Sequence, residues 1–540
     1  MGVTENLTDS SVDNATRPVN KVAIDDSVKV NGHADSHKGT NGDVKVNNTT
    51  NGHVEGLPVD NTSLLVKLSQ TIARETEKID AYFRENSIPA PTFEADGLSD
   101  YPALPDEIQK ARITVIKAAA DLKDLMVGPK ESLRWMAWDH NNSLSLKAVS
   151  QFKLANAFPV GSTATFAELA KVANVDEMNT RRLLRHAMTN RIFKEVSPGV
   201  VAHTAASKTL AQDDLLQDWV GYCVQDLWPS AIGTLEALTR FPGSQEDTQT
   251  GFQVAFDLVD KESMFTALGK DPARGRQFHR AMGSLASGAG YEVEFFVDNY
   301  DWNSINENAG TVVDVGGSHG FVSAAIAKKF DKIKFIVEDL PKALATAPKF
   351  EGDLAERITL KEYDYFTPQP VKGADVYFYR WIIHNTSNKY AIKILQSLVP
   401  GLKKGARIVI NDHCLPEPNT ENPWDEKIIR TMDLVMLSLI NAQERSKEEF
   451  EALFHTANPN YRFLGVTRPA GCRMSIVEAV WEGEDYDGAA DAETVAVEAE
   501  SEAARNGENA EAEVSPGNVE KSIEIVDAQV ANNVEAVAAN

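Results

Sequence analysis

Three short stretches hold residue types that could do chemistry. In "ADVYFYRWIIHNTSNKY", Ala374 to Tyr390, an apolar run leads into His384. A histidine there is either a proton acceptor at the end of a buried strand or a core imidazole before a turn. In "VVDVGGSHG", Val312 to Gly320, an apolar run reaches Asp314 and then glycines at 316, 317 and 320. Such a turn brings backbone close to a ligand before a helix begins. In "KFIVEDLP", Asp339 follows Gly316 by 23 residues. One carboxylate at the tip of a second strand can accept from both hydroxyls of a ribose diol, although a plain surface acid would read the same way.

These residues need a scaffold, and the pattern from about Thr311 onward supplies one. The runs "TVVDVGG", "KFIVED", "ITLKEYDYF", "ADVYFYRWII" and "ARIVINDHCLP" alternate with helical segments such as "VSAAIAKKF" and "YAIKILQSLVPGL". Continuous apolar strands separated by helices predict a parallel sheet covered on both faces. "YRFLGVTRPAGCRMSIVEAVWEG" predicts two more strands to finish it. His413 between Asp412 and Cys414 looks superficially like a metal cluster. Neighbours on a strand face opposite ways and cannot meet on one ion, so no metal is expected.

Upstream the pattern is helical. Leu64, Leu65, Leu68, Ile72, Ile79, Tyr82 and Phe83 fall on one helical face, and a second helix carrying Ile108, Val115, Ile116, Leu122 and Leu125 stops at Gly128-Pro129. Long apolar stripes of this kind pack either on their own domain or on another subunit. Between 144 and 210, a helix over Ala148–Ala157, a helix capped by Thr165, a second opened by Asp176 and two short strands around Ser197-Pro198-Gly199 predict a winged-helix unit. Its Arg181, Arg182, Arg185 and His186 raise a DNA-binding alternative.

Charge weighs against that alternative. The 540 residues carry a formal charge of −25, with sixteen acidic against two basic residues from Glu482 onward. Residues 1–60 and 484–540 are poor in core-forming residues and are expected to be disordered tails. No signal segment or run of membrane-spanning length is visible, and three scattered cysteines give no disulfide framework, so a cytoplasmic location is expected.

The motifs "DVGGSHG", "EDLPKAL", "YDYFTPQPVKGADVYFYRWIIHN", "VPGLKKGARIVINDHCLPEP" and "AQERSKEEFEAL", in that order, resemble the S-adenosylmethionine-dependent small-molecule O-methyltransferases of the plant caffeate type. The resemblance extends over about 61–483 and is strongest to the fungal branch acting on aromatic polyketide phenols. It implies an α/β fold with a Rossmann-like methyltransferase sheet over 291–483, and a helical, winged-helix dimerisation and substrate-lid domain over 61–290. It also implies a homodimer, an aromatic small-molecule acceptor, and no nucleic-acid or membrane partner.

By the same resemblance, Asp314, Gly316, Gly317 and Gly320 belong to the S-adenosylmethionine cradle, and Asp339 binds ribose. Asp364 and Phe366 flank adenine, and Arg380 takes the place of a family lysine beside the cofactor. His384 matches the general base, with Asp412 and Glu444 at the two acidic positions that steady it. Asp412, at the end of its own strand, is the expected holder of the imidazole. Phe278 and Met282 match substrate-facing positions and fit simple core packing equally well; Trp135, Trp138 and Trp228 are further candidates for a cavity wall. The sequence departs from the family at Asn385 and Thr386, which stand where an aspartate and a tryptophan are usual, and at Ser318. The rival readings are a catalytically weak relative, a winged-helix regulator, and a nicotinamide-dependent oxidoreductase that the missing G-x-G-x-x-G disfavours.

Overall fold

The computed structural model describes residues 62–288, 290–345 and 347–485. The expected tail 1–60 lies outside them, as does 484–540 apart from Glu484 and Asp485.

The strands run in chain order as β1 (Thr163–Thr165), β2 (Lys194–Ser197), β3 (Val200–Ala202), β4 (Thr311–Val315), β5 (Lys334–Asp339) and β6 (Ile358–Glu362). They continue as β7 (Val376–Arg380), β8 (Arg407–Asp412), β9 (Cys414–Leu415), β10 (Arg445–Ser446), β11 (Tyr461–Thr467) and β12 (Ser475–Trp481). Seven of them form one sheet in the order β11-β12-β8-β7-β4-β5-β6. β4 to β8 are parallel, and β12 joins β8 antiparallel, pairing Ser475 with Asp412.

Alternation along the apolar runs explains the double burial. On β7, Val376 and Phe378 enter a core with Trp302, Phe296 and the helix Phe321–Lys329. Tyr377 and Tyr379 enter the opposite core with the helices Asn388–Leu398 and Lys447–Ala457. Each such fully buried side chain contributes about 1.5–3 kcal/mol.

The winged-helix unit is present: β1, β3 and β2 form a three-stranded antiparallel sheet beside the helices Phe166–Ala173 and Glu177–Thr189. Thr165 caps the first in a capping box with Glu168, and Asp176 caps the second. The preceding helix spans His140–Gln151, earlier than predicted, because Lys153 turns left-handed at φ 49° and breaks it. Arg185 pairs with Glu195, Arg181 with Glu177, and Arg182 bonds Asn179. His186 Nδ1 lies 3.0 Å from Ser145 Oγ, so all four basic groups behind the DNA-binding alternative are engaged inside their own unit.

The long helices Leu64–Glu85 and Asp106–Val127 pack on each other, yet the described residues leave much of their apolar surface uncovered. Leu64 is 59% and Met126 69% exposed. The short helix Pro129–Trp138, which the sequence reading did not anticipate, leaves Leu133, Trp135, Met136 and Trp138 between 60% and 67% exposed. No helix among the described residues is long and apolar enough to cross a membrane.

Candidate active site

The sheet order fixes where a ligand can sit. From β4 the chain winds outward through β5 and β6, then returns to β7 on the other side of β4. The switch point therefore lies between β4 and β7, and a crevice opens at their C-terminal ends. Both chemistry-bearing stretches leave those two ends.

After β4 the backbone folds back under the tip of β5. The amides of Gly316 and Gly317 donate to the carbonyl of Glu338 at 2.8 and 3.1 Å. Gly316 has φ 71°, and a Cβ there would lie 2.6 Å from Ile382 Cδ1, so the turn needs glycine. Asp339 fixes the next residues: its two carboxylate oxygens accept the amides of Ser318 and Leu340 at 2.7 and 2.6 Å.

The loop is rich in buried carboxyl groups. Burial raises Asp314 to about 6, with a hydrogen bond from Ser323 opposing. Burial likewise raises Asp339 and Glu338, each to about 7. Of the three, Asp314 lines a cavity, where a ligand that brings positive charge or hydroxyl donors would suit it.

β7 ends at Arg380, three residues before the apolar run stops at Ile383. Trp381 adopts φ 58°, and Ile383–Asn385 close a single 3₁₀ turn that holds His384. His384 thus follows its strand by a turn instead of ending it. Asp412, at the tip of neighbouring β8, accepts the amides of Trp381 (2.7 Å) and His384 (3.0 Å). Arg445, fully buried, donates to the carbonyls of Ile383 (3.0 Å) and Thr386 (2.8 Å) on the same turn. Asn385 and Thr386 complete it, donating to the carbonyls of Trp381 and Ile383.

The imidazole itself is held by Glu444, whose Oε1 lies 3.0 Å from His384 Nδ1. This corrects the expectation that Asp412 grips the ring: Asp412 grips the backbone, because the turn presents its amides to β8 and its side chain to the 441–446 segment. Burial would depress His384, but the charge and hydrogen bond of Glu444, reinforced by Asp412, hold it above the usual imidazole value. For Glu444, burial pushes up and the two histidines pull down further, leaving it at about 2.

The second histidine is His413, whose Nδ1 lies 3.3 Å from the same Oε1. Strand alternation was expected to send His413 away from Asp412, but β8 ends at Asp412 and the next residue is free to turn. Asp412 and His413 therefore serve one cluster. Among the described residues no group of three or more His, Cys, Asp or Glu is arranged to hold a metal ion.

A cavity of about 690 Å³ joins the two halves of the site. Its walls include Asp314, Gly316, Gly317, Arg380, His384 and Asn385 at one end. At the other end are Phe278, Met282, Met264, Leu439 and the tryptophans Trp219 and Trp424. Both acceptor-side candidates, Phe278 and Met282, line it. Trp135 and Trp138 lie on the surface and Trp228 is outside the walls; the aromatic wall comes from Trp219, Trp381 and Trp424 instead. Gly320, at φ 74°, starts the helix Phe321–Lys329 behind the loop. Asp364 caps its own turn by accepting the amide of Phe366 at 2.9 Å, and Phe366 packs on the core below. Neither of these two lines the cavity, and Asp339 stands behind the loop it fixes.

Sequence reasoning missed Arg445, Trp381, Tyr291 and Arg473. The signal for Arg445 was the Glu444-Arg445 dipeptide; a buried arginine beside a buried glutamate is unusual enough to ask what it holds. Trp381, stacked at a tilt 4.9 Å from His384, sat in plain view within the motif.

Comparison with known proteins adds three findings. A family model described as the O-methyltransferase domain matches residues 243–458. A chlorophenol O-methyltransferase of Trichoderma longibrachiatum is 47% identical over 423 residues, covering 78% of this chain and 91% of that protein. The grayanic acid biosynthesis cluster O-methyltransferase of Cladonia grayi is 36% identical over 426 residues, covering 78% and 89%. Among solved structures, OxaC in complex with sinefungin and meleagrin superposes with a TM-score of 0.58 at 21% identity, covering 76% of this chain and 99% of that one.

Proposed function

The chain belongs to the O-methyltransferase family, and we propose that His384, held by Glu444, removes the proton of a phenolic hydroxyl as that oxygen is methylated. The bound S-adenosylmethionine supplies the methyl group. The fit of the site to that cofactor rests on the glycine turn at 316–317, the raised carboxyl groups around it, and the cavity that reaches from the turn to His384. In this reading Asp314, Gly316, Gly317, Gly320 and Arg380 hold the cofactor, with Asp339, Asp364 and Phe366 at its ribose and adenine end.

The chemistry assigns each neighbour a task. Transfer from a sulfonium is an in-line displacement, so the acceptor oxygen must be held at near-attack distance. The apolar walls around Phe278, Met282, Trp219 and Trp424 confine a flat aromatic ring and exclude water. A phenol near pKa 10 and an imidazole near 6.5 are mismatched by about 4.8 kcal/mol if the proton moves first. The proton therefore leaves as the new bond forms. Donation of His384 Nδ1–H to Glu444 leaves Nε2 as the accepting nitrogen and stabilises the imidazolium that results, while Asp412 and Arg445 lock the turn. An acidified phenol reduces the mismatch further, as in the relative named for chlorophenol. Asn385 does not replace the charge of the family aspartate; in this chain the negative charge at the imidazole comes from Glu444.

The buried His384–Glu444 contact is the observation that carries this reading. Single-turnover methyl transfer to a panel of phenols, wild type against His384→Ala, tests it. A loss of two orders of magnitude or more is expected, and transfer at wild-type rate by the variant would overturn the mechanism. The same reading includes a homodimer, supported by the uncovered apolar faces of the helices Leu64–Glu85 and Pro129–Trp138. Three unpaired cysteines fit a reducing, cytoplasmic setting.

A further inference from the structure

Two guanidinium groups border the cavity with no carboxylate in ion-pair contact among the described residues. Arg380, at the end of β7, donates to Asn411 Oδ1 and, at 2.8 Å, to the carbonyl of Tyr291. Its Nε is buried and has no hydrogen-bond partner among the described residues. Arg473 comes from the loop between β11 and β12, and its amide donates to the carbonyl of Gly290 at 2.9 Å. Its guanidinium carbon sits 5.3 Å from the centre of the Tyr291 ring. The two cations therefore meet one residue, Tyr291, through its carbonyl and its ring.

Room has been made for the second of them. Gly290 has φ 94°, and a Cβ there would stand 2.9 Å from Arg473 Cγ. Both arginines line the same cavity as Gly316, Gly317 and Ser318. Burying Arg380 Nε without a partner is costly, Arg473 is half-buried beside it, and the planar fork of a guanidinium matches a carboxylate. The opposite imbalance lies close by at the same end of the cavity, where burial raises the carboxyl group of Asp314 against the charge of Arg380. An α-amino acid group, which carries its ammonium and its carboxylate on one carbon, satisfies both.

We propose that Arg473 joins Arg380 in receiving a carboxylate within the cavity, that of the amino-acid part of S-adenosylmethionine. This rests on the cofactor reading above. The other source of the same chemistry is a carboxylate on the aromatic acceptor, and the experiment separates the two. Calorimetric titration compares S-adenosylhomocysteine with methylthioadenosine, which keeps the nucleoside and thioether but lacks the carboxylate.

Arg473→Met is expected to weaken S-adenosylhomocysteine by roughly tenfold or more while leaving methylthioadenosine unchanged. Arg473→Lys should recover part of the loss. Equal weakening of both ligands, or of neither, overturns the proposal, the first because Arg473 then acts on the nucleoside that both share and not on the carboxylate. Unchanged S-adenosylhomocysteine with weakened binding of a hydroxybenzoate, against an unchanged plain phenol, overturns it in favour of the acceptor. A wild type that binds neither nucleoside would instead sink the cofactor reading itself.

Discussion

Glu444→Gln isolates the charge beside the base while keeping its shape. In the native protein the Nδ1–Oε1 contact is 3.0 Å, and the two side chains are 7% and 0% exposed. A hydrogen bond involving a charged group in such a setting contributes about 1.5–3 kcal/mol. That support is realised mainly when His384 becomes cationic, so its loss should appear as about a 10- to 150-fold fall in kcat. Glu444 does not line the cavity, so the KM for the acceptor should barely move.

The pH profile supplies the second readout. Burial alone would depress His384, and Glu444 more than offsets it. Removing that charge lowers the pKa of the imidazole, so the unprotonated base persists to lower pH. The acid limb of kcat should therefore shift to lower pH even as the plateau falls. Rapid-quench measurement of methyl transfer from pH 5 to 9 gives both quantities. A variant with a wild-type plateau and an unmoved limb would refute the role given to Glu444; a lower plateau with an unmoved limb would reduce it to packing.

Two further outcomes are expected. Glu338 is fully buried, with Oε2 bonded to Gln369 and Oε1 unpartnered, and burial raises it to about 7 from 4.5. The folded protein keeps this proton where the unfolded chain has lost it, so the group costs stability as pH rises from about 4.5 through 7. Glu338→Gln should raise the thermal midpoint by a few degrees at pH 8 and by much less at pH 5; equal gains at both would mean that charge is not the cost. Separately, light scattering of the wild type should give twice the chain mass, and the double substitution Trp135→Ser, Met136→Ser should shift it towards one. A dimer untouched by these changes would place the contact elsewhere.

The sheet was legible because both faces of its parallel strands are covered: the apolar runs from Val312 to Val315 and from Val376 to Tyr379 had no other stable arrangement. The glycine turn was legible because only glycine fits between Asp314 and Ile382. Cross-chain geometry was not. Nothing in the spacing of Asp412, His413 and Glu444 says which one reaches the imidazole, since that depends on where β8 stops and how 441–446 approaches it. The helical region was harder still. Its apolar stripes mark amphipathic helices correctly, but a stripe that faces solvent in one chain looks the same in sequence as one that enters a core. Trp135 and Trp138 were read as cavity walls for that reason.

Glu444 owes its place to a very small piece of structure. β9 and β10 pair over two residues only, Arg445 opposite Cys414 and Ser446 opposite Leu415. Asparagine at 441, left-handed at φ 51°, releases the preceding helix, and Asp433 takes the amide of Glu444 at 2.9 Å. Between Asn441 and Arg445 there is no slack. A register moved by one residue would send the carboxylate to the other side of the ladder. A single inserted or deleted residue at 441–444 would therefore separate Glu444 from His384. What this segment must keep for the two side chains to meet is its length.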